Sequence, residues 1–180
     1  MKRRQPAITI LAGLLVSMAG AFAALAQQKH PFDENGKLDT VAVETRQLAE
    51  SQWVAIVTLQ NDENLAAMTL PLSWRPHNGH FRLDSASYSG LRTEYFALKT
   101  FYPDTIAGTI LIGLISNLGT DRPPLEPGSG PIARLHFTSL KNPSENLVVD
   151  TAFVRPFNVL QLVTPDVRSI LPAFKSNAKK

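Results

Sequence analysis

The feature that most narrows the fold of this chain is a repeated one: short apolar runs of period two, each closed within a few residues by proline, glycine, asparagine or aspartate. In "LAAMTLPLSW", Ala66, Met68, Leu70, Leu72 and Trp74 share one face of a strand, and Ala67, Thr69, Pro71 and Ser73 share the other. "WVAIVTLQ" repeats the pattern with Trp53, Ala55, Val57 and Leu59 on one face, and Asn61 to Asn64 supply the turn that ends it. "RPHNGHFRLDSASYSG" places a turn at His77 to Gly79 before a strand through Leu83 towards Tyr88. In "GTILIGLIS", Ile110, Ile112 and Leu114 oppose Thr109, Leu111, Gly113 and Ile115. Both of its faces are largely apolar, so the strand is either covered on both sides or carries a contact surface outward. Pro71 lacks an N–H and belongs at an edge, a bulge or an unpaired position. "LRTEYFALKTFYPD", Leu91 to Asp104, fits either a strand pair or a short helix with a turn at Pro103. Together these runs predict an all-β chain, a jelly-roll-like β-sandwich of about nine strands.

The first residues stand apart from this pattern. Lys2, Arg3 and Arg4 precede an uncharged apolar segment, Ala7 to Leu25, which closes on the small-x-small triplet Ala24-Leu25-Ala26. This predicts a secretory signal peptide over residues 1–26; an uncleaved anchor is the alternative, because the segment approaches the ~20 residues of a spanning helix. Residues 27–38, polar and turn-rich, read as a linker. The sandwich is expected over 39–174 and a basic tail, "KSNAKK", over 175–180. Export places the domain in the periplasm, at the cell surface or outside the cell, with no membrane contact after cleavage.

Removing the leader changes the charge. The formal +3 consists of the leader's basic residues, which leaves fifteen basic against fifteen acidic side chains. No basic run tracks a phosphate backbone, so nucleic acid is not an expected partner. The roughly 150 residues that remain suffice for one domain with a buried core. The chain has no cysteine, so disulfides, thiolate metal sites and a cysteine nucleophile are excluded and stability must come from packing.

"PLEPGSGPIARLHF" raises the question of a phosphate-cradling loop. Such a loop delivers its N–H groups at the start of a helix, whereas here Ala133, Leu135 and Phe137 alternate with Ile132, Arg134 and His136. That is a strand period, and the Lys and Ser or Thr of a phosphate loop are absent. Asn117 to Pro131 is therefore expected as a crossing loop, its prolines stiffening it and its glycines permitting a turn into the strand. Other chemistry is equally thin. His77 and His80 flank a turn with no third ligand nearby. Gly128-Ser129-Gly130 lacks the spacing of a nucleophile elbow, and "DENGKLDT" lacks a calcium-loop ligand ladder. Asp84, Glu94 and Asp150 are available as carboxylates, but separations cannot be read from a sequence. No catalytic residue, metal or cofactor is expected.

The order and spacing of these runs resemble those of a cohesin domain, the β-sandwich receptor that binds dockerins in bacterial surface assemblies. "WVAIVTLQN" is similar to the family's second strand with its closing Asn61, and "AAMTLPLSWRP" to the next, which normally ends in Tyr-Asp-Pro. "FRLDSASYSG", "GTILIGLIS" and "GSGPIARLHF" are similar to the strands that follow. The resemblance spans about Asp39 to Phe153. Arg75 stands where the family has an acidic residue, which puts any polar contact made there in doubt.

The resemblance implies a non-catalytic module that binds a dockerin-like partner through the sheet containing Ala66–Trp74 and Gly108–Ser116. Its outward residues are Thr69, Pro71, Ser73, Thr109, Leu111 and Ile115. The resemblance extends to sandwich modules that bind cellulose and chitin. A polysaccharide ligand is therefore the second expectation, with Tyr88, Tyr95 and Tyr102 as the aromatic residues able to stack on sugar rings. An enzyme with an unrecognised site is the third.

Overall fold

The computed structural model describes residues 37–74, 80–119, 121–140, 146–156 and 158–176. The signal peptide over 1–26, most of the linker, Arg75 and His77 lie outside them. The described strands are β1 (Thr40–Gln47), β2 (Gln52–Asn61), β3 (Ala67–Ser73), β4 (Phe81–Ser87), β5 (Leu98–Asp104), β6 (Thr109–Ile115), β7 (Gly128–Ser139), β8 (Asp150–Thr151), β9 (Gln161–Val163), β10 (Ser169–Ile170) and β11 (Ala173–Ser176). No helix occurs among the described residues.

The strands form two sheets. One has the order β11-β1-β2-β7-β4 and the other β10-β9-β3-β6-β5, with β8 also paired to β3. The chain changes sheet at β2–β3, β3–β4, β4–β5, β6–β7, β7–β8 and β10–β11, so most sequence neighbours lie in opposite sheets. The eleven strands exceed the expected nine because β8, β9 and β10 are pieces of two or three residues.

Period-two alternation sets which side chains fill the space between the sheets. Trp53, Ala55, Val57 and Leu59 of β2 meet Met68, Leu70 and Leu72 of β3, with Ile110, Ile112 and Leu114 of β6 behind them, and all of these are buried. Trp74, just past β3, joins the two layers. Its ring meets Phe137 of β7 edge-on with centroids 5.6 Å apart, and its Nε1–H donates to the Phe81 carbonyl at 3.0 Å. Trp53 packs edge-on against the same Phe81 at 5.7 Å. Edge-to-face pairs of this kind add to the burial of the rings themselves.

The glycines before β7 have a packing role. Gly130 has φ +158, and a Cβ there would stand 3.0 Å from Cδ of Arg92. The Arg92 stem lies along this stretch while its guanidinium donates to the carbonyls of Leu59, Gly128 and Glu126 at 3.2, 3.2 and 2.6 Å. The expected crossing loop therefore ends earlier than Pro131, since β7 already begins at Gly128. Beyond Pro131 the β2–β7 register shifts between Val57 and Thr58, and Ile132 and Ala133 are both buried, as a bulge permits.

Three expectations need correction. Leu91–Asp104 is neither a strand pair nor a helix: residues 89–95 form turns, and one strand, β5, follows with Pro103 inside it. Leu91, Thr93 and Phe96 point from those turns into the protein and are buried, while Lys99 Nζ donates to the Glu94 and Phe96 carbonyls at 2.9 and 2.7 Å. Backbone groups satisfied this way need no ladder. Lys175 and Ser176, assigned to the tail by sequence, belong to β11 and pair in parallel with Ala42 and Val43 of β1. Pro71 is not on an edge strand: it pairs with Leu111 of β6 on one side, and on the other it falls in the gap between β9, which pairs with Ala67–Thr69, and β8, which pairs with Leu72–Ser73.

Replacing Trp74 with Ala removes a fully buried ring and the bond to Phe81 together. The expected cost is about 3–5 kcal/mol, read from the urea unfolding midpoint; a loss below about 1 kcal/mol would show that the indole does not join the sheets.

Candidate binding face

Alternation that buries one side of β3, β6 and β5 exposes the other. The registers place Pro71, Leu111 and Tyr102 in one cross-strand row, Thr69, Gly113 and Thr100 in the next, and Ala67, Ile115 and Leu98 in a third. Ser73, Thr109 and Asp104 complete the face at its far end. Beyond β3, Gln161 and Val163 of β9 extend the second and third rows. Residues directly opposite across a ladder share a face, so the outward set expected from sequence is brought together on one surface.

Its members are not equally accessible. Thr69, Thr109, Leu111 and Ile115 are half-buried, as residues within a sheet surface are, whereas Pro71 and Ser73 are buried. The reason lies eighty residues away in the chain. β8 pairs with this end of β3, and the Pro71 carbonyl accepts the Ala152 N–H at 3.0 Å and the Thr151 hydroxyl at 3.4 Å. Pro71 and Ser73 therefore lie on this side of the sheet but offer little surface to a partner.

The β5 residues Leu98, Thr100 and Tyr102 were not assigned to this face by sequence. Tyr102 is 65% exposed and flanks Leu111. The signal was present in "LKTFYPD", where Leu98, Thr100 and Tyr102 alternate with Lys99 and Phe101, but it was hidden by the ambiguity of the whole segment. Between Leu111 and Ile115 the surface is flattened by Gly113. The Thr100 hydroxyl folds over it, accepting the Gly113 N–H at 2.9 Å and donating to the Gly113 carbonyl at 3.2 Å. A Cβ at Gly113 would stand 2.7 Å from that hydroxyl.

The Pro-rich segment does not lie over these residues. Leu125 pairs with Leu65 at the end of the sandwich, and Pro124 accepts the Tyr95 hydroxyl at 3.0 Å. At the opposite end of the face, Asp104 Oδ1 accepts the N–H groups of Ile106 and Ala107 at 3.0 and 2.9 Å, holding the β5–β6 turn.

The three tyrosines do not share an element. Tyr88 follows β4 in the other sheet, half-buried against the core, with its hydroxyl enclosed and unbonded among the described residues. Desolvation pushes its phenol up to about 12. Tyr95 stands in the β4–β5 turns, edge-on to Phe96, its phenol raised chiefly by burial and further by Glu126. It borders an open groove with Arg92, Pro123, Pro124 and Glu126, but the Arg92 guanidinium there is occupied by backbone carbonyls. Tyr102 alone stands on an exposed strand face.

The carboxylates left open by sequence are also dispersed. Asp84 bonds Arg82 at 2.8 Å and Thr138 at 2.7 Å, Glu94 accepts Gly90 N–H at 3.0 Å in the turn after β4, and Asp150 stands on β8.

Against known proteins, the chain is similar in structure to a non-cellulosomal cohesin from the archaeon Archaeoglobus fulgidus, at 14% identity and TM-score 0.54, over 78% of this chain and 88% of that one. It is similar also to the Coh-OlpA-Doc918 type I cohesin–dockerin complex of Clostridium thermocellum, at 7% identity and TM-score 0.61, over 78% and 96%. A type II cohesin domain from the cellulosome of Acetivibrio cellulolyticus matches at 13% identity and TM-score 0.55, over 77% and 91%. No family model matches the sequence, and no curated protein matches it. The fold is the cohesin β-sandwich.

Burial of Tyr88 gives a pH dependence with a definite sign. Its folded value of about 12 lies above the ordinary 10.0, so the neutral phenol is the form the fold accepts. Its contribution is complete below pH 10 and is lost as pH rises from 10 through 12. Tyr88→Phe is expected to reduce the fall in melting temperature across that window, and an equally steep fall in the variant would place the titration elsewhere.

Proposed function

We propose that this chain is an exported, non-catalytic receptor module that binds a dockerin-type protein through the outer face of β3, β6 and β5. The observation that carries the reading is the apolar strip of Leu111, Ile115 and Leu98 with Tyr102 beside it, on a sheet face where solvent alone would favour polar residues. Thr69 and Thr100 lie in the row between Leu111 and Ile115, and Thr109 at one end, so apolar rows alternate with hydroxyl-bearing ones across the face. The fold supports the choice of partner, because cohesin–dockerin complexes are among the structures it resembles. Covering Leu111 and Ile115 contributes about 1.5–3 kcal/mol each, enough for a hydrophobic centre. Export rests on the leader composition of residues 1–26.

A face of this kind binds without chemistry. It offers hydroxyls, methyl groups and one phenol, and its function is to exclude water from a complementary surface.

Calorimetric titration with recombinant calcium-loaded dockerins of type I and type II tests the reading. Binding by one class is expected, with Leu111→Asp weakening it about 100-fold or more while the melting temperature holds. Unchanged affinity in a folded variant moves the site elsewhere. Failure of every dockerin, with retention on insoluble cellulose, chitin or xylan that Tyr102→Ala abolishes, favours the polysaccharide alternative.

A further inference from the structure

At the corner of the sandwich where β1 begins and β2 ends, three carboxylates meet. Asp39, Asp62 and Glu63 each bring an oxygen into a group whose members all lie within 4.8 Å of one another. Asp39 is 1% exposed, whereas Asp62 is on the surface and Glu63 is half-buried. Asp39 Oδ1 accepts the Asp62 N–H at 3.2 Å, and Asp62 Oδ2 accepts the Lys37 N–H at 2.6 Å.

Asn61 adds an independent observation. The interior positions of β1 are Val41 and Val43, and those of β2 run from Trp53 to Leu59 by twos. Pairing of Thr40 with Gln60 carries the register one step further, setting Asp39 beside Asn61 on the same interior face, where cross-strand Cβ atoms are about 5 Å apart. Asn61 is 4% exposed. Its Nδ2 donates to the carbonyls of Glu63 and Glu126 at 2.6 and 3.2 Å, which fixes which end of the amide is oxygen. That Oδ1 is buried and accepts no hydrogen bond among the described residues. A buried acceptor left without a donor is costly, and beside a carboxylate group it has the chemistry of a cation ligand.

We propose that Asp39, Asn61, Asp62 and Glu63 form a calcium site that closes this corner of the sandwich. The donors are all oxygen, which selects a hard cation over zinc or copper. Oxygens that all lie within 4.8 Å of one another can converge on one ion, and a mixed set of carboxylates and an amide suits the flexible oxygen coordination of calcium better than the near-ideal octahedron that magnesium demands while keeping its waters. Occupation ties the chain leading into β1 to the turn after β2 and, through Asn61, to the Glu126 segment before β7. The site is separate from the β3–β6–β5 face and does not depend on what that face binds.

Thermal unfolding of the purified chain, stripped with EDTA and returned to calcium or magnesium at about 1–5 mM, above the roughly 0.1–1 mM at which extracellular modules bind, is the test. Calcium is expected to raise the melting temperature by several degrees, saturably, and magnesium much less. The Asp62→Asn, Glu63→Gln double variant is expected to lose the calcium response, melting at the same temperature with calcium as in EDTA. Should the pair of changes prevent folding, Asp62→Asn alone, at an exposed position, carries the same comparison. A melting temperature indifferent to calcium in the unaltered chain, or a full response in the folded variant, overturns the site.

Discussion

The sandwich depends on closing the space between two sheets with side chains alone. Without a cysteine in the chain, no disulfide holds the layers together, and the Trp74 ring against Phe137 forms a contact that spans them, with Phe81 and Trp53 packed edge-on in the sheet to which Phe137 belongs. Trp74 is the pivot because it sits where the chain leaves one sheet for the other, and its indole N–H is bonded to Phe81, the first residue of the arriving strand. A ring so placed fixes both the spacing of the layers and the point at which the chain crosses. Once the inner residues of β3 and β6 are committed to that core, their outer residues have no freedom left: a slip of one position would turn Leu70 and Ile112 to solvent. The proposed binding face is in this sense a by-product of the core.

That coupling explains which parts were legible from sequence. Strands with one clean apolar face, β2, β3, β6 and β7, could be read from alternation, and the outward set on β3 and β6 followed directly. What failed to show depended on contacts between distant segments. The burial of Pro71 and Ser73 arises from β8, which is two residues long and has no periodicity to detect. β5 carries a proline and a lysine on the side that should be apolar, and becomes legible only when Lys99 is seen to cap the carbonyls of the preceding turns. Asp39 and Asn61 look like turn residues in the sequence; only the β1–β2 register reveals that both face inward.

The glycines illustrate a related point. Gly130 and Gly113 both sit where a neighbouring side chain occupies the space of a missing Cβ, Arg92 in one case and Thr100 in the other. At Gly130 the result is a guanidinium delivered to three carbonyls; at Gly113 it is a flat stretch in the middle of an exposed sheet. In neither place does glycine act as a hinge.

The parallel pairing of β1 with β11 has a mechanical meaning. Because the first and last strands run the same way, the chain enters this clasp at one pole, Thr40, and leaves it at the other, Ser176 beside Val43. Tension applied between those poles pulls the two strands lengthwise past each other, so their rungs, Thr40 to Val43 against Ala173 to Ser176, bear load at the same moment instead of opening one after another. A module threaded into an assembly through both poles would resist stretching in shear, with its partner face lying on the sheet that does not carry this clasp.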